Sequence, residues 1–100
     1  MPSSNSILKN LKLPVICAPM FLLSQPDLVI AQCCAGVCGT FPSLNARPQS
    51  ELKNWIQRIK KECKEFQEKN PEKIVAPFGV NLVALDSNKR LQQDLKVCIE

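Results

Sequence analysis

Three short apolar runs constrain the fold of this chain more than any other feature of its sequence. They lie near residues 14–18 (PVICA), 37–41 (VCGTF) and 77–82 (PFGVNL). Each is too short for a helix of ordinary length, and none alternates between apolar and polar residues. Continuous apolar runs of this kind are typical of parallel strands that are buried on both faces. The sequence therefore predicts three buried strands.

Helical patterns follow each of these runs, and they predict helices near residues 25–35, 49–69 and 89–99. The middle helix has the clearest pattern, because its apolar residues recur at helical spacing between charged ones. These residues are Leu52, Trp55, Ile56, Ile59, Cys63 and Phe66. In the last helix, the predicted apolar face consists of Leu91, Leu95 and Cys98.

The first helix carries signals at both ends. Ser24 and Asp27 form an S-x-x-D capping box, and Pro26 suits the first turn. Gly36 is a suitable residue to end the helix, because glycine readily adopts the left-handed conformation found there.

Strand, helix, strand, helix, strand, helix is the order of an α/β protein with parallel strands and crossover helices. Such units form either half of a doubly wound sheet or part of a (βα)8 TIM barrel, and a complete barrel takes roughly 250 residues. We therefore expect residues 1–100 to be a partial TIM-barrel domain, the N-terminal three βα units. A glycine-rich phosphate loop does not follow the first run.

Composition argues against several other classes of protein. The apolar stretch Leu13–Leu23 contains two prolines and is too short to cross a membrane. With no signal-peptide pattern, we expect a cytoplasmic protein whose six cysteines stay reduced. No metal site is expected, because the chain has no histidine and no C-x-x-C pair. The net charge of +4 arises from mixed charges at helical spacing, which does not indicate nucleic-acid binding.

Four strings of residues resemble those of one enzyme family. They are P-V-I-x-A-P-M at residues 14–20, A-G-V-x-G at 35–39, P-S-L-N-A-R at 42–47 followed by Trp55-Ile56, and F-G-V-N-L at 78–82. In this order they resemble the N-terminal part of the FMN-dependent nitronate monooxygenases, also called 2-nitropropane dioxygenases. The resemblance implies a (βα)8 barrel that oxidises alkyl nitronates with O2 and binds FMN at the carboxyl ends of its strands.

The resemblance also implies roles for individual residues. Ala18, Pro19 and Met20 would contact the flavin ring, and Asn81 would lie beside it. The catalytic base of the family is a histidine later in the barrel, and FMN phosphate is usually held by loops after strands 7 and 8. No catalytic residue is therefore assigned in this chain, and we expect the 100 residues alone to be inactive.

Other interpretations of the same residues remain open. Pro19 can end a strand, Met20 can be a core residue and Asn81 can cap a turn. The A-P-M string also occurs in FMN-dependent enoyl-acyl-carrier-protein reductases, which use NAD(P)H. A different class is a non-catalytic truncated product, which would self-associate through the open edges of its sheet.

Overall fold

Helices and parallel strands alternate along the chain, so the protein is α/β, as the sequence predicts. The computed structural model describes residues 11–84 and 87–99. Its elements are α1 (Pro26–Cys34), β1 (Thr40–Pro42), a 3-10 helix (Ser43–Asn45), α2 (Glu51–Lys69), β2 (Gly79–Asn81) and α3 (Leu91–Ile99). The helices coincide with the predicted ones to within two residues, whereas the strands are shorter than predicted.

The sheet places the three apolar runs side by side in chain order. β1 pairs with β2 in parallel, with Phe41 opposite Val80. The first run contributes one parallel bridge, between Ile16 and Cys38. Cys38 bonds to the first run, and the adjacent Gly39 accepts a hydrogen bond of 2.8 Å from the Gly79 amide. Because neighbouring residues of a strand direct their backbone groups to opposite sides, the first run and β2 flank β1.

The first run departs from the predicted buried strand. It forms a single bridge rather than a strand of five residues, and Ile16 is 62% exposed. Val15 and Leu13 are exposed too. The prediction of burial is wrong here, because no other element in residues 11–84 and 87–99 covers the outer side of this run.

The core lies between α1, α2 and β1. Phe41 of β1 is fully buried, and its ring centroid lies 5.6 Å from that of Trp55 on α2. The other buried members of this cluster are Val29, Cys33, Ala46, Leu52, Ile56 and Ile59. None of the helices in the described part of the chain is both long and apolar enough to span a membrane.

One face of α3 differs from the predicted one. Leu95 is 38% exposed, and the fully buried residue of this helix is Asp94. Val97 and Cys98 pack against the core, as expected for Cys98 but not for Val97. The apolar pattern failed here because a carboxylate with bonding partners occupies the buried position.

The two ends of α1 show one correct and one wrong prediction. Gly36 has a φ of +92°, and its amide donates to Cys33 O at 3.0 Å while the Val37 amide donates to Gln32 O at 3.2 Å. This pair of bonds is the Schellman motif, so the predicted helix end is confirmed.

The predicted capping box at the start of α1 does not form. Gln25 is the N-terminal capping residue, and no side chain bonds to the free amides there. The Ser24 hydroxyl instead accepts a hydrogen bond from the Met20 amide, and Asp27 pairs with Arg58 on α2. Both side chains therefore have partners outside the first turn of α1.

Candidate functional site

The residues that the sequence singled out lie at one edge of the sheet. Ala18, Pro19 and Met20 follow the bridge at Ile16, and Asn81 is the last residue of β2. The carboxyl ends of parallel strands meet at one edge, which is where barrel enzymes carry their sites. β1 lies between the two segments that carry them, so the two groups are on opposite sides of β1.

These residues are accessible to a ligand. Ala18, Pro19 and Asn81 are exposed, and Met20 is 40% exposed. The structure thus places Met20 at the surface, not in the core. The Ala18 amide and carbonyl have no hydrogen-bond partner among residues 11–84 and 87–99. A polar ligand at this edge would find these backbone groups free.

A tight turn over residues 20–24, here called the Met20 turn, fixes the backbone of Met20. The Ser24 amide donates to Met20 O at 2.9 Å, and the Met20 amide donates to Ser24 Oγ at 2.8 Å. Leu22 has a φ of +65°, a left-handed conformation that costs a residue with a Cβ about 1–2 kcal/mol. The turn therefore depends on its hydrogen bonds to persist.

Asn45 supplies most of the bonds that reach the Met20 turn from outside it. Its Nδ2 donates to Met20 O at 3.1 Å and to Ser24 O at 3.0 Å. Its Oδ1 accepts from the Leu22 amide at 2.8 Å. The side chain is buried, and its donors and its acceptor are all used. Asn45 is thus the residue that joins the 3-10 helix after β1 to the predicted site.

Sequence reasoning did not assign this role to Asn45. The residue is part of the P-S-L-N-A-R string, but its partners are 21 to 25 residues away in the chain. A polar contact over that separation produces no periodic pattern. The available signals were that string and the position of Asn45 in the loop after the strand predicted at 37–41.

A positive charge lies beside the Met20 turn. The Arg47 guanidinium carbon is 5.1 Å from the centroid of the Phe21 ring, a distance at which a cation is attracted to an aromatic face. Arg47 Nε also donates to Leu44 O at 3.1 Å. These two contacts hold the guanidinium at the edge that carries Ala18 and Met20.

Burial raises the pKa of five of the six cysteine thiols. All six are free thiols. Burial raises the pKa of the Cys63 thiol to about 12, with neighbouring Cys33 and Cys34 contributing in the same direction. Burial likewise raises the pKa of Cys38 and Cys98, so these thiols stay protonated at neutral pH. Within the described residues, no group of three or more potential ligands lies together.

A hollow of about 780 Å3 lies elsewhere on the molecule. Its lining includes Pro71, Lys73 and Pro77, which precede β2, so it opens at the opposite, amino edge of the sheet. Its lining mixes polar and apolar side chains, and none of the predicted site residues belongs to it. We therefore place the candidate site at the carboxyl edge on the basis of residue chemistry, not cavity size.

No family model, curated protein or solved structure matches this chain. The comparisons therefore assign it to no family. Any function must be inferred from the residues and their arrangement at the carboxyl edge.

Proposed function

We propose that this chain contributes the flavin-ring wall of an FMN-dependent oxidoreductase similar to nitronate monooxygenase, with its βα units belonging to a TIM barrel. One observation carries the proposal: Ala18–Met20 and Asn81 share the carboxyl edge of parallel segments that lie in chain order. Consecutive units of a barrel have this order, and their ligands bind at this edge.

The chemistry of the four residues suits a flavin ring. The free backbone groups of Ala18 can bond to the polar edge of an isoalloxazine. The Met20 side chain is apolar and adaptable, so it can lie against the ring, and Pro19 ends the strand so that the backbone leaves the sheet. The Asn81 side-chain amide can donate and accept on the other side of β1.

These assignments give the cofactor and the residues of this chain separate roles in the reaction. FMN, when bound, supplies the electron acceptor for a nitronate and passes the electrons to O2. The residues of this chain bind and orient the ring. Because the chain contains no histidine, none of its residues is assigned as the catalytic base of the family. We propose a cytoplasmic location, where thiols remain reduced.

Titration of the purified chain with FMN, followed by flavin fluorescence, tests the proposal. We expect saturable binding that Asn81→Ala and Met20→Ala weaken. Lys53→Ala, an exposed substitution on α2, serves as the matched control and should leave it unchanged. No turnover of alkyl nitronates is expected from the 100 residues alone. Turnover, or FMN binding that ignores both site variants, would contradict these assignments.

The electron donor separates two enzymes that share the A-P-M string. In a nitronate monooxygenase, nitronate reduces the bound flavin directly, whereas in an enoyl-acyl-carrier-protein reductase NAD(P)H does so. Anaerobic bleaching of the flavin absorbance by each donor, measured on the full-length, flavin-loaded protein, distinguishes them. Bleaching by NAD(P)H alone would favour the reductase.

A second candidate function, association through an open sheet edge, has its own support. The bridge uses Val15 O and the Cys17 amide, so the backbone groups of Ile16 face away from β1. The exposed apolar side chains around it are Leu13, Val15 and Ile16. Such an edge promotes pairing with another chain. A chain that is a monomer by size-exclusion chromatography at all concentrations would contradict this candidate.

A further inference from the structure

Arg90, which directly precedes α3, is half-buried and forms a cluster of hydrogen bonds between that helix and the loop that follows β1. Its Nη1 donates to Ala46 O at 2.8 Å, and its Nη2 donates to Ser43 O at 3.1 Å. The same guanidinium pairs with Asp94, with Nε 3.3 Å from Oδ2 and Nη2 3.3 Å from Oδ1. Gln49 Nε2 donates to Asp94 Oδ1 at 3.2 Å.

This cluster of hydrogen bonds is connected to the candidate site. Ser43 and Ala46, whose carbonyls Arg90 holds, flank the short segment that includes Asn45. Asn45 in turn bonds to three backbone groups of the Met20 turn. The segment 43–46 is therefore bonded on one side to Arg90, through its backbone carbonyls, and on the other side to the Met20 turn, through the Asn45 side chain.

The charge pattern supports a positioning role rather than a surface ion pair. Asp94 is fully buried, and the Arg90 side chain is only 22% exposed. A planar guanidinium with a fixed fork of donors can bond a carboxylate and two carbonyls at once, which a lysine ammonium does less well. By contrast, Arg58 pairs with Asp27 and Glu62 at the exposed surface of α2.

We infer that Arg90 is a positioning residue for the candidate flavin wall: it holds the 43–46 loop so that Asn45 fixes the Met20 turn. Its consequence for FMN rests on the proposed function above. The structural link between Arg90 and the Met20 turn does not depend on FMN, and it can be measured in the free protein.

Amide hydrogen exchange by NMR tests the link. The Leu22 amide donates to Asn45 Oδ1 at 2.8 Å, whereas the Cys38 amide donates to Val15 O at 3.0 Å in the sheet. We expect Arg90→Lys, which keeps the charge opposite Asp94, to speed exchange at Leu22 about fivefold, the equivalent of one lost hydrogen bond. Exchange at Cys38 should stay unchanged.

Arg58→Lys is the matched control, and it should alter neither amide. Equal acceleration at Leu22 and Cys38 in Arg90→Lys would indicate a general loss of stability and would overturn the inference, as would no acceleration at Leu22. If Arg90→Lys does not fold, Asp94→Asn replaces it, with the same selective effect on Leu22 expected and the same outcomes contradicting it.

FMN titration of the same variants separates this inference from the proposed function. Weaker FMN binding by Arg90→Lys, with faster exchange at Leu22, supports both. Faster exchange at Leu22 with unchanged FMN affinity overturns the link to the flavin wall. A wild-type chain that binds no FMN overturns the proposed function, and the exchange rates then decide the positioning role by themselves.

Discussion

Replacing Asn45 with alanine removes the side chain on which the Met20 turn depends. Three hydrogen bonds are lost, but Met20 O keeps its bond from the Ser24 amide, so two backbone groups lose their protein partner. At about 1 kcal/mol of net stabilisation for each hydrogen bond, the expected loss in the free energy of unfolding is about 2 kcal/mol.

The turn itself should change conformation in this variant. Leu22 is held at a φ of +65°, which costs about 1–2 kcal/mol, and its amide bond to Asn45 offsets that cost. Without the bond, Leu22 should relax to negative φ, which would move the backbone of Met20. A change in the NMR resonances of Met20 and Leu22, confined to residues near the turn, is therefore expected.

Urea denaturation followed by circular dichroism measures the loss, with Asn54→Ala as the matched control. Asn54 is exposed on α2, so its replacement should change stability by less than about 0.5 kcal/mol. Asn45→Asp gives a second check, because aspartate keeps the acceptor for the Leu22 amide but turns a carboxylate oxygen toward two carbonyls. It should destabilise at least as much as alanine.

The reasoning fails if Asn45→Ala and Asn54→Ala are equally stable. It also fails if Asn45→Asp is as stable as the wild type, because the two donated bonds would then contribute nothing. The first result would mean that water replaces Asn45 at the Met20 turn without cost.

Three further predictions concern the rest of the fold. Gly36→Ala should lower the free energy of unfolding by at least about 1–2 kcal/mol, because φ is +92° and the added Cβ would lie 2.5 Å from Lys12 Cβ; an unchanged melting temperature would contradict this. Gly39→Ala should cost about 1–3 kcal/mol, because its Cβ would lie 2.7 Å from Val29 O, and a urea midpoint equal to that of the wild type would contradict it. In the folded chain, burial raises the pKa of the Cys63 thiol from 9.0 to about 12. The contribution of this thiol to stability is complete below pH 9 and is lost as the pH rises toward 12, because the thiol of the unfolded chain ionises first. Cys63→Ser should flatten the fall in stability over that range, and an identical pH profile would refute the assignment.

The sequence predicted well those elements that depend on residues close together in the chain. The apolar spacing of α2 and the glycine at position 36 act within a few residues, and the structure has both features where the pattern indicates them. The parallel arrangement also follows from the chain order, because a helix between two strands brings the second strand back in the same direction.

The features that sequence missed depend on partners far away in the chain. Ser24 matches a capping pattern, but the Met20 amide is its actual partner. Asp94 is buried beside Arg90 and Gln49, which both donate to its Oδ1, whereas an apolar count assigns that position to the surface. The four predicted site residues were chosen from sequence motifs. The role of Asn45 in fixing Met20 depends on contacts that only the three-dimensional structure shows.

Mapping FMN binding residue by residue tests the central claim most directly. In 1H–15N correlation spectra of the chain titrated with FMN, we expect saturable shifts at the amides of Ala18, Met20 and Asn81, at the carboxyl edge of the sheet. Amides beside the hollow at the opposite edge, such as Lys73, should not move. Absence of saturable shifts, or shifts centred on Lys73, would contradict the proposal that the carboxyl edge is one wall of a flavin site.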